Sequence, residues 1–413
     1  VNRRNAPATL PTKFSSGYKP TRLAKLLNAD PNGLNVVSLF SGCGGSCLGF
    51  RSAGYRILWA NEFHPHAAET YRLNFPGPVP ALNTQDVRTV TAEVIRGEIA
   101  SALGYSKIPE IDVLEGSPPC QSFSISGRRE KNWGKSSKKS DGTEQRSDDL
   151  FPEFARLLEG LKPRAFVAEN VPGLLVGRAT GFFLEAVKLF SEAGYVVRAK
   201  VIDASWLGVP QARRRVFIVG VRRDLGIEPP FPRPNARPTL LREALPWLSG
   251  AVYNSDGKFR KTEMSQRPCP SIVSSPRSST HYHVTGGDEA ALRAAFPDAD
   301  EVDLHTPKLG PRLQAEAEKL SLGQRHDKNF NLQLADPDRP CGTITAIGGK
   351  SALAQTMPRP WRRFCIAELK RVCGFPDDFK LPGKYGERWA RLGNSVPPPM
   401  ARAVAQAIAE ALP

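Results

Sequence analysis

The apolar positions of the chain follow two rhythms. From Asn35 to Arg222, short apolar runs ended by Gly, Pro or Asn alternate with stretches in which apolar residues return once per helical turn. The first kind predicts buried strands over Val36–Phe40, Ile57–Asn61, Asp112–Glu115, Arg164–Ala168, Tyr195–Asp203 and Val216–Val221. The second predicts helices over His66–Asn74, Leu150–Leu161 and Phe182–Ala193. Such alternation calls for an α/β fold, a mostly parallel sheet with helices on both faces. After Arg222 the rhythm breaks. Pro, Arg and Ser crowd into PPFPRPNARP and SQRPCPSIVSSPRSS, and helical runs become short. The expected organisation is a flexible basic arm over residues 1–34, a main domain over 35–222, a smaller irregular domain over 223–384 and a C-terminal segment over 385–413. That last segment ends in PPPMARAVAQAIAEAL, an Ala-rich amphipathic helix with proline at its start, where a missing N–H costs little.

Composition narrows the function. No apolar run in the 413 residues approaches the ~18 needed to cross a bilayer. The seven cysteines, an odd number scattered from Cys43 to Cys373, form no small disulfide framework, so reduced thiols and a cytoplasmic setting are expected. Cys43 and Cys47 have no second Cys or His pair at zinc spacing, and no metal is expected. The 57 Lys and Arg against 41 Asp and Glu leave a formal charge of +16, the electrostatic footprint of a protein that meets a polyphosphate.

Four stretches carry chemistry. VVSLFSGCGGSCLGF, Val36 to Phe50, is a strand, a glycine-rich turn and the start of a helix, which lets backbone approach a ligand and aims helix-end N–H groups at it. No Gly-Lys-Ser or Gly-Lys-Thr follows, so it is not a phosphate loop. Glu62, about 20 residues after the glycines, is placed to grip ribose hydroxyls. Asp86 suits an adenine amino group, although a single Asp near a strand end is more often a cap. EGSPPCQSFS presents Cys120 from the carboxyl end of a strand, where ligands of open α/β sheets collect. VAENV delivers Glu169 and Asn170 from another strand end, and a buried carboxylate there requires a partner. In QARRRVFIVG, Gln211, Arg213 and Arg215 alternate, so that they can share one face of a strand and converge on one spot.

SLFSGCGG, PPCQSFS, AENV, QARRR and RLGNSVPPPM, in this order and at these intervals, resemble the cytosine-C5 DNA methyltransferases. The resemblance implies a Rossmann-like methyltransferase sheet, S-adenosyl-L-methionine as cofactor, double-stranded DNA as partner and a monomer on the nucleoid. It also implies that residues 223–384 select the target sequence. By resemblance, Cys120 is the nucleophile that adds to C6 of a flipped cytosine. Glu169 holds N3 and the exocyclic amine, Arg215 contacts O2 and Arg213 braces the acid. The cofactor residues carried over are Phe40, Ser41, Gly42, Gly44, Gly45, Glu62, Phe63, Asp86, Val87, Pro119, Asn394, Ser395 and Val396. The chain departs from the commonest pattern at Ser117 and Pro118 and at Ala367, where an arginine is usual.

The polar loop SGRREKNWGKSSKKSDGTEQRSDD follows the cysteine directly. Its composition alone suits a solvated loop; its place after the nucleophile suits closure over DNA, with Ser124, Ser126, Arg128, Arg129 and Lys131 at the duplex. Gln211 and Arg277 complete the expected DNA contacts. Two alternatives stay open at this level: the same chemistry on structured RNA, and a DNA-binding relic without chemistry. The long segment after Arg223 favours duplex DNA, since reading a major groove needs added surface.

Overall fold

The apolar runs assemble into one seven-stranded sheet. The computed structural model describes residues 18–77, 80–105, 107–119, 137–138, 144–145, 150–177, 179–247, 250–253, 282–285, 289–305 and 362–413. Strands β1 (Asn35–Leu39), β2 (Arg56–Asn61), β3 (Ala81–Asn83) and β4 (Val113–Gly116) precede a separate two-stranded pairing, β5 (Ser137–Lys138) with β6 (Glu144–Gln145). Then β7 (Ala165–Asn170), β8 (Tyr195–Asp203) and β9 (Arg214–Arg222) complete the sheet in the order β3-β2-β1-β4-β7-β9-β8. β9 runs antiparallel to both its neighbours, and the remaining pairs are parallel. β3 lies where the pattern predicts no strand, because three residues are too few to display a period. A second sheet, β10 (Gly250–Tyr253), β11 (Tyr282–Thr285) and β12 (Arg362–Arg363), is antiparallel throughout.

The central strands are buried on both faces, so alternate residues enter different cores. Val36, Val113, Val167 and Phe217 point into one; Val37, Leu114, Phe166 and Ile218 point into the other. Helices Ala92–Leu103, Leu150–Leu161 and Ala179–Glu192 cover the second face, where Phe154, Phe166 and Phe190 meet with ring centroids 4.6–5.9 Å apart. Burying each such ring stabilises the fold by roughly 1.5–3 kcal/mol. The first face is covered by helices Gly45–Ser52 and Pro398–Ala411, and Tyr55 Oη donates to the Ala405 carbonyl at 3.0 Å. Helix Pro398–Ala411 therefore packs on the same face of the sheet as the helix that follows β1. Ser38, Glu115, Glu169 and Arg215 fall by the same alternation on this first face, near the carboxyl ends of β1, β4 and β7 and the start of β9.

No helix among the described residues is long and apolar enough to cross a membrane. Among the same residues, no group of three or more His, Cys, Asp or Glu is placed to hold a metal.

Candidate active site

At the end of β1 the backbone turns sharply, with φ of 53° at Phe40, 58° at Gly42 and 92° at Gly44. Phe40 is a non-glycine residue held in the left-handed region, a conformation that costs on the order of 1 kcal/mol. The turn is held from β2. The Ser41 N–H donates to the Asn61 carbonyl at 2.9 Å, and the Gly42 N–H donates to the Glu62 carboxylate at 2.8 Å. Glu62 also accepts from the His64 N–H at 2.7 Å, which pins its carboxylate at the mouth of β2. Next to it, Phe63 is 44% exposed. A Cβ built on Gly42 would meet nothing within 4 Å, so this part of the turn faces open space. An open glycine turn, a pinned carboxylate and an exposed ring fit a nucleoside with a ribose to grip.

Asp86 caps the short turn Val87–Thr89, accepting from the Arg88 N–H at 3.0 Å, and the Arg88 guanidinium stands 2.9 Å from its other oxygen. Val87 is buried beside it. From the other end of the chain, Ser395 Oγ donates to the Arg391 carbonyl at 2.7 Å and lies 2.9 Å from the Cys43 sulfur. The Val396 carbonyl stands over Gly45. Asn394, last in helix Tyr385–Asn394, is exposed. Burial pushes the Cys43 thiol up to about 11 against the opposing bond to Ser395, so it is a packed thiol and not a nucleophile at neutral pH.

The acid site lies two strands away. Glu169 is 8% exposed, and its Oε1 lies 2.8 Å from Arg215 Nε. The contact is an ion pair without aligned hydrogen-bond geometry, since no donor points along Oε1. Arg215 rather than Arg213 is therefore the partner of the acid. The register explains the difference: Glu169 stands opposite Phe217 on antiparallel β9, so Arg215 is the nearest cation on the same face. Arg213 lies before β9 begins and donates to the Gly393 carbonyl at 3.0 Å, tying this site to the C-terminal segment. Burial lowers its guanidinium to about 9, still charged at neutral pH. Gln211 is fully buried, and its Oε1 has no hydrogen-bond partner. Asn170 grips the neighbouring loop, donating from Nδ2 to the Pro118 carbonyl at 3.0 Å, while its Oδ1 accepts from the Val171 N–H at 2.8 Å. Pro119 follows in that loop, half-buried.

Cys120, Ser124, Ser126, Arg128, Arg129, Lys131 and Arg277 lie outside the described residues, as do residues 1–17 of the expected arm. Ser38 and Glu115, both buried, and the half-buried Ser46 are singled out by no motif, yet they form a polar cluster under the glycine turn. A signal was present: Glu115 is a charge inside the apolar run IDVLEG.

The profile of the family described as C-5 cytosine-specific DNA methylase matches residues 34–410. The chain is 31% identical over 379 residues to the Type II methyltransferase M.NgoFVII of Neisseria gonorrhoeae, covering 90% of this chain and 85% of that protein. It is 30% identical over 387 residues to the Type II methyltransferase M.FnuDI of Fusobacterium nucleatum, covering 92% and 95%. The crystal structure of a DNA modification methyltransferase encoded within an E. coli prophage superposes with a TM-score of 0.63 at 26% identity, covering 92% of this chain and 99% of that one.

Proposed function

Because this chain belongs to the C-5 cytosine-specific DNA methylase family and is a DNA cytosine-5 methyltransferase, we propose that it works through a covalent Cys120 adduct on a base flipped out of the duplex. Residues 35–222 would carry the cofactor and the chemistry, 223–384 would select the target, and 385–413 would close the cofactor pocket. The cofactor residues would be Phe40 against adenine, Glu62 on the ribose, Asp86 and Val87 at the adenine edge, and Pro119 with Asn394–Val396 around the amino-acid portion. Bound S-adenosylmethionine supplies an electrophilic methyl group beside C5.

The ring is too electron-poor at C5 to attack that group unaided. The Cys120 thiolate forms a bond to C6, and Glu169 stabilises the charge that develops at N3 while holding the exocyclic amine. Arg215 keeps Glu169 in place and turns its remaining donors to O2. The electrons of the C5–C6 double bond then form the bond from C5 to the methyl carbon as that carbon's bond to the sulfonium sulfur breaks, leaving S-adenosylhomocysteine. Loss of the C5 proton restores the double bond, and its electrons expel the Cys120 sulfur. Arg277 and the cations after Cys120 would hold the duplex, whereas Gln211, fully buried against Cys373, is out of reach of it. The names of the relatives suggest a Type II modification role, on one short sequence, in the bacterial cytoplasm.

The observation that carries this reading is the contact of Asn170 with Pro118, because it fastens the loop that leads into Cys120 to the strand that presents Glu169. The test is a duplex bearing 5-fluorocytosine at the target position, incubated with S-adenosylmethionine. Protein and DNA should become covalently linked, and Cys120→Ala should abolish the link. A fully active enzyme that is never trapped would overturn the adduct.

A further inference from the structure

Glu115 takes no part in that chemistry, yet it is 3% exposed at the centre of the sheet. It stands opposite Ser38 of β1, on the strand that runs into the Cys120 loop. Three donors reach its carboxylate. The Ser38 hydroxyl and the Cys47 thiol, the latter at 3.7 Å, donate to Oε1, and the Ser46 hydroxyl donates to Oε2 at 2.7 Å. Ser38 in turn shares a hydrogen bond of 2.8 Å with Ser41. One carboxylate thus gathers the end of β1, the turn after it and the first turn of helix Gly45–Ser52. The stretch Phe40–Gly45 is suspended between these anchors.

An ionised carboxylate carries lone pairs enough for all three donors, whereas a protonated one places a hydrogen among them and must release or reverse at least one. The helix N-terminus beside it also favours the anion. We propose that Glu115, in its ionised form, is a positioning residue that sets the shape of the Phe40–Gly45 turn for S-adenosylmethionine, so that cofactor affinity follows the protonation of this side chain. The proposal rests on the cofactor reading above.

Burial raises the Glu115 carboxyl from 4.5 to about 7, against the lowering effect of its bonds to Ser38, Ser46 and Cys47. The other titratable groups facing it are Cys47 on its helix, Tyr71 on helix Pro65–Asn74 and Glu169 on β7. The ionised form is lost as pH falls through that value, and affinity should fall with it.

Calorimetric titration of the whole chain with S-adenosylhomocysteine reads this without turnover. Wild-type affinity should weaken about tenfold between about pH 8 and about pH 6, the effect of one proton taken up. Glu115→Gln should bind weakly throughout, without that slope. Ser46→Ala, which removes a donor to the charged form, should move the midpoint to higher pH. Wild-type affinity or an unchanged slope in Glu115→Gln overturns the proposal and leaves the cofactor reading standing. A wild type that binds no S-adenosylhomocysteine at any pH overturns the cofactor reading itself. Should Glu115→Gln fail to fold, Ser46→Ala decides, and an unmoved midpoint counts against the proposal.

Discussion

The carbonyl oxygen of Val396 occupies the space where any side chain at position 45 would begin: a Cβ on Gly45 would stand 2.4 Å from it. The clash is with backbone, which cannot swing aside as the tip of a flexible side chain can. Gly45→Ala should therefore cost roughly 1–3 kcal/mol of stability, as overpacking does. It should also move the C-terminal segment off the glycine turn and weaken S-adenosylhomocysteine binding. Urea unfolding and calorimetry check the two effects; unchanged stability would show that the contact is loose.

Arg215 and Glu169 form a pair with both side chains about nine-tenths buried. Removing one partner leaves the other charged and unsolvated, so Arg215→Ala should destabilise the fold by on the order of 3 kcal/mol. Glu169→Gln should cost less stability but at least 100-fold in kcat, in the range of a lost general acid or base. A paired measurement of Tm and single-turnover rate separates them.

Asn170 is expected to act through the loop it holds. Asn170→Ala removes the bond to the Pro118 carbonyl, worth about 0.5–1.5 kcal/mol in stability. Misplacement of the Cys120 loop should show in kcat far more than in the KM for cofactor, with a drop of roughly 100-fold. Equal changes in both would argue that the bond merely packs the loop.

Glu115 makes a prediction about stability whose sign opposes its effect on binding. A carboxyl whose value is raised on folding holds its proton more tightly in the native state. It favours folding below its unfolded value and loses that contribution as pH rises through about 7. Glu115→Gln, which cannot ionise, should therefore be more stable than wild type at about pH 8, by on the order of 3 kcal/mol, and equal to it only below about pH 4. Denaturant melts at the two pH values check this. A variant less stable at the higher pH would show that the carboxylate is held more favourably than its burial implies.

The thiols of Cys43, Cys47 and Cys373 are all buried, and burial raises them to about 11, about 12 and about 12. None should be alkylated by iodoacetamide in the native protein below about pH 9, because the thiolate is the reactive form. Peptide mapping after a short pulse tests this, and labelling at Cys43 would indicate that the C-terminal segment opens.

Much of the fold was legible along the chain. The strand over Ile57–Asn61 and the helix Leu150–Leu161 run as their patterns predict, since strands buried on two faces and helices buried on one write their periods into the sequence. β3 left no such mark, for want of length. The motifs single out Gly42, Glu62, Glu169 and Arg215, and the structure sets Gly42 against Glu62 and Arg215 against Glu169.

Which groups meet was settled by tertiary structure. That Arg215 and not Arg213 faces Glu169 depends on the register of an antiparallel pair, and side-chain spacing along β9 carries no record of the strand beside it. Glu115 reaches Ser38 and Ser46 for the same reason: β4 lies next to β1, although helices and strands separate them along the chain. The sequence by itself determined the elements and the reactive residue types, since these follow from local period and local chemistry. Pairing across the sheet, and the return of Val396 to Gly45, arise only when distant segments share one buried face and exclude water together.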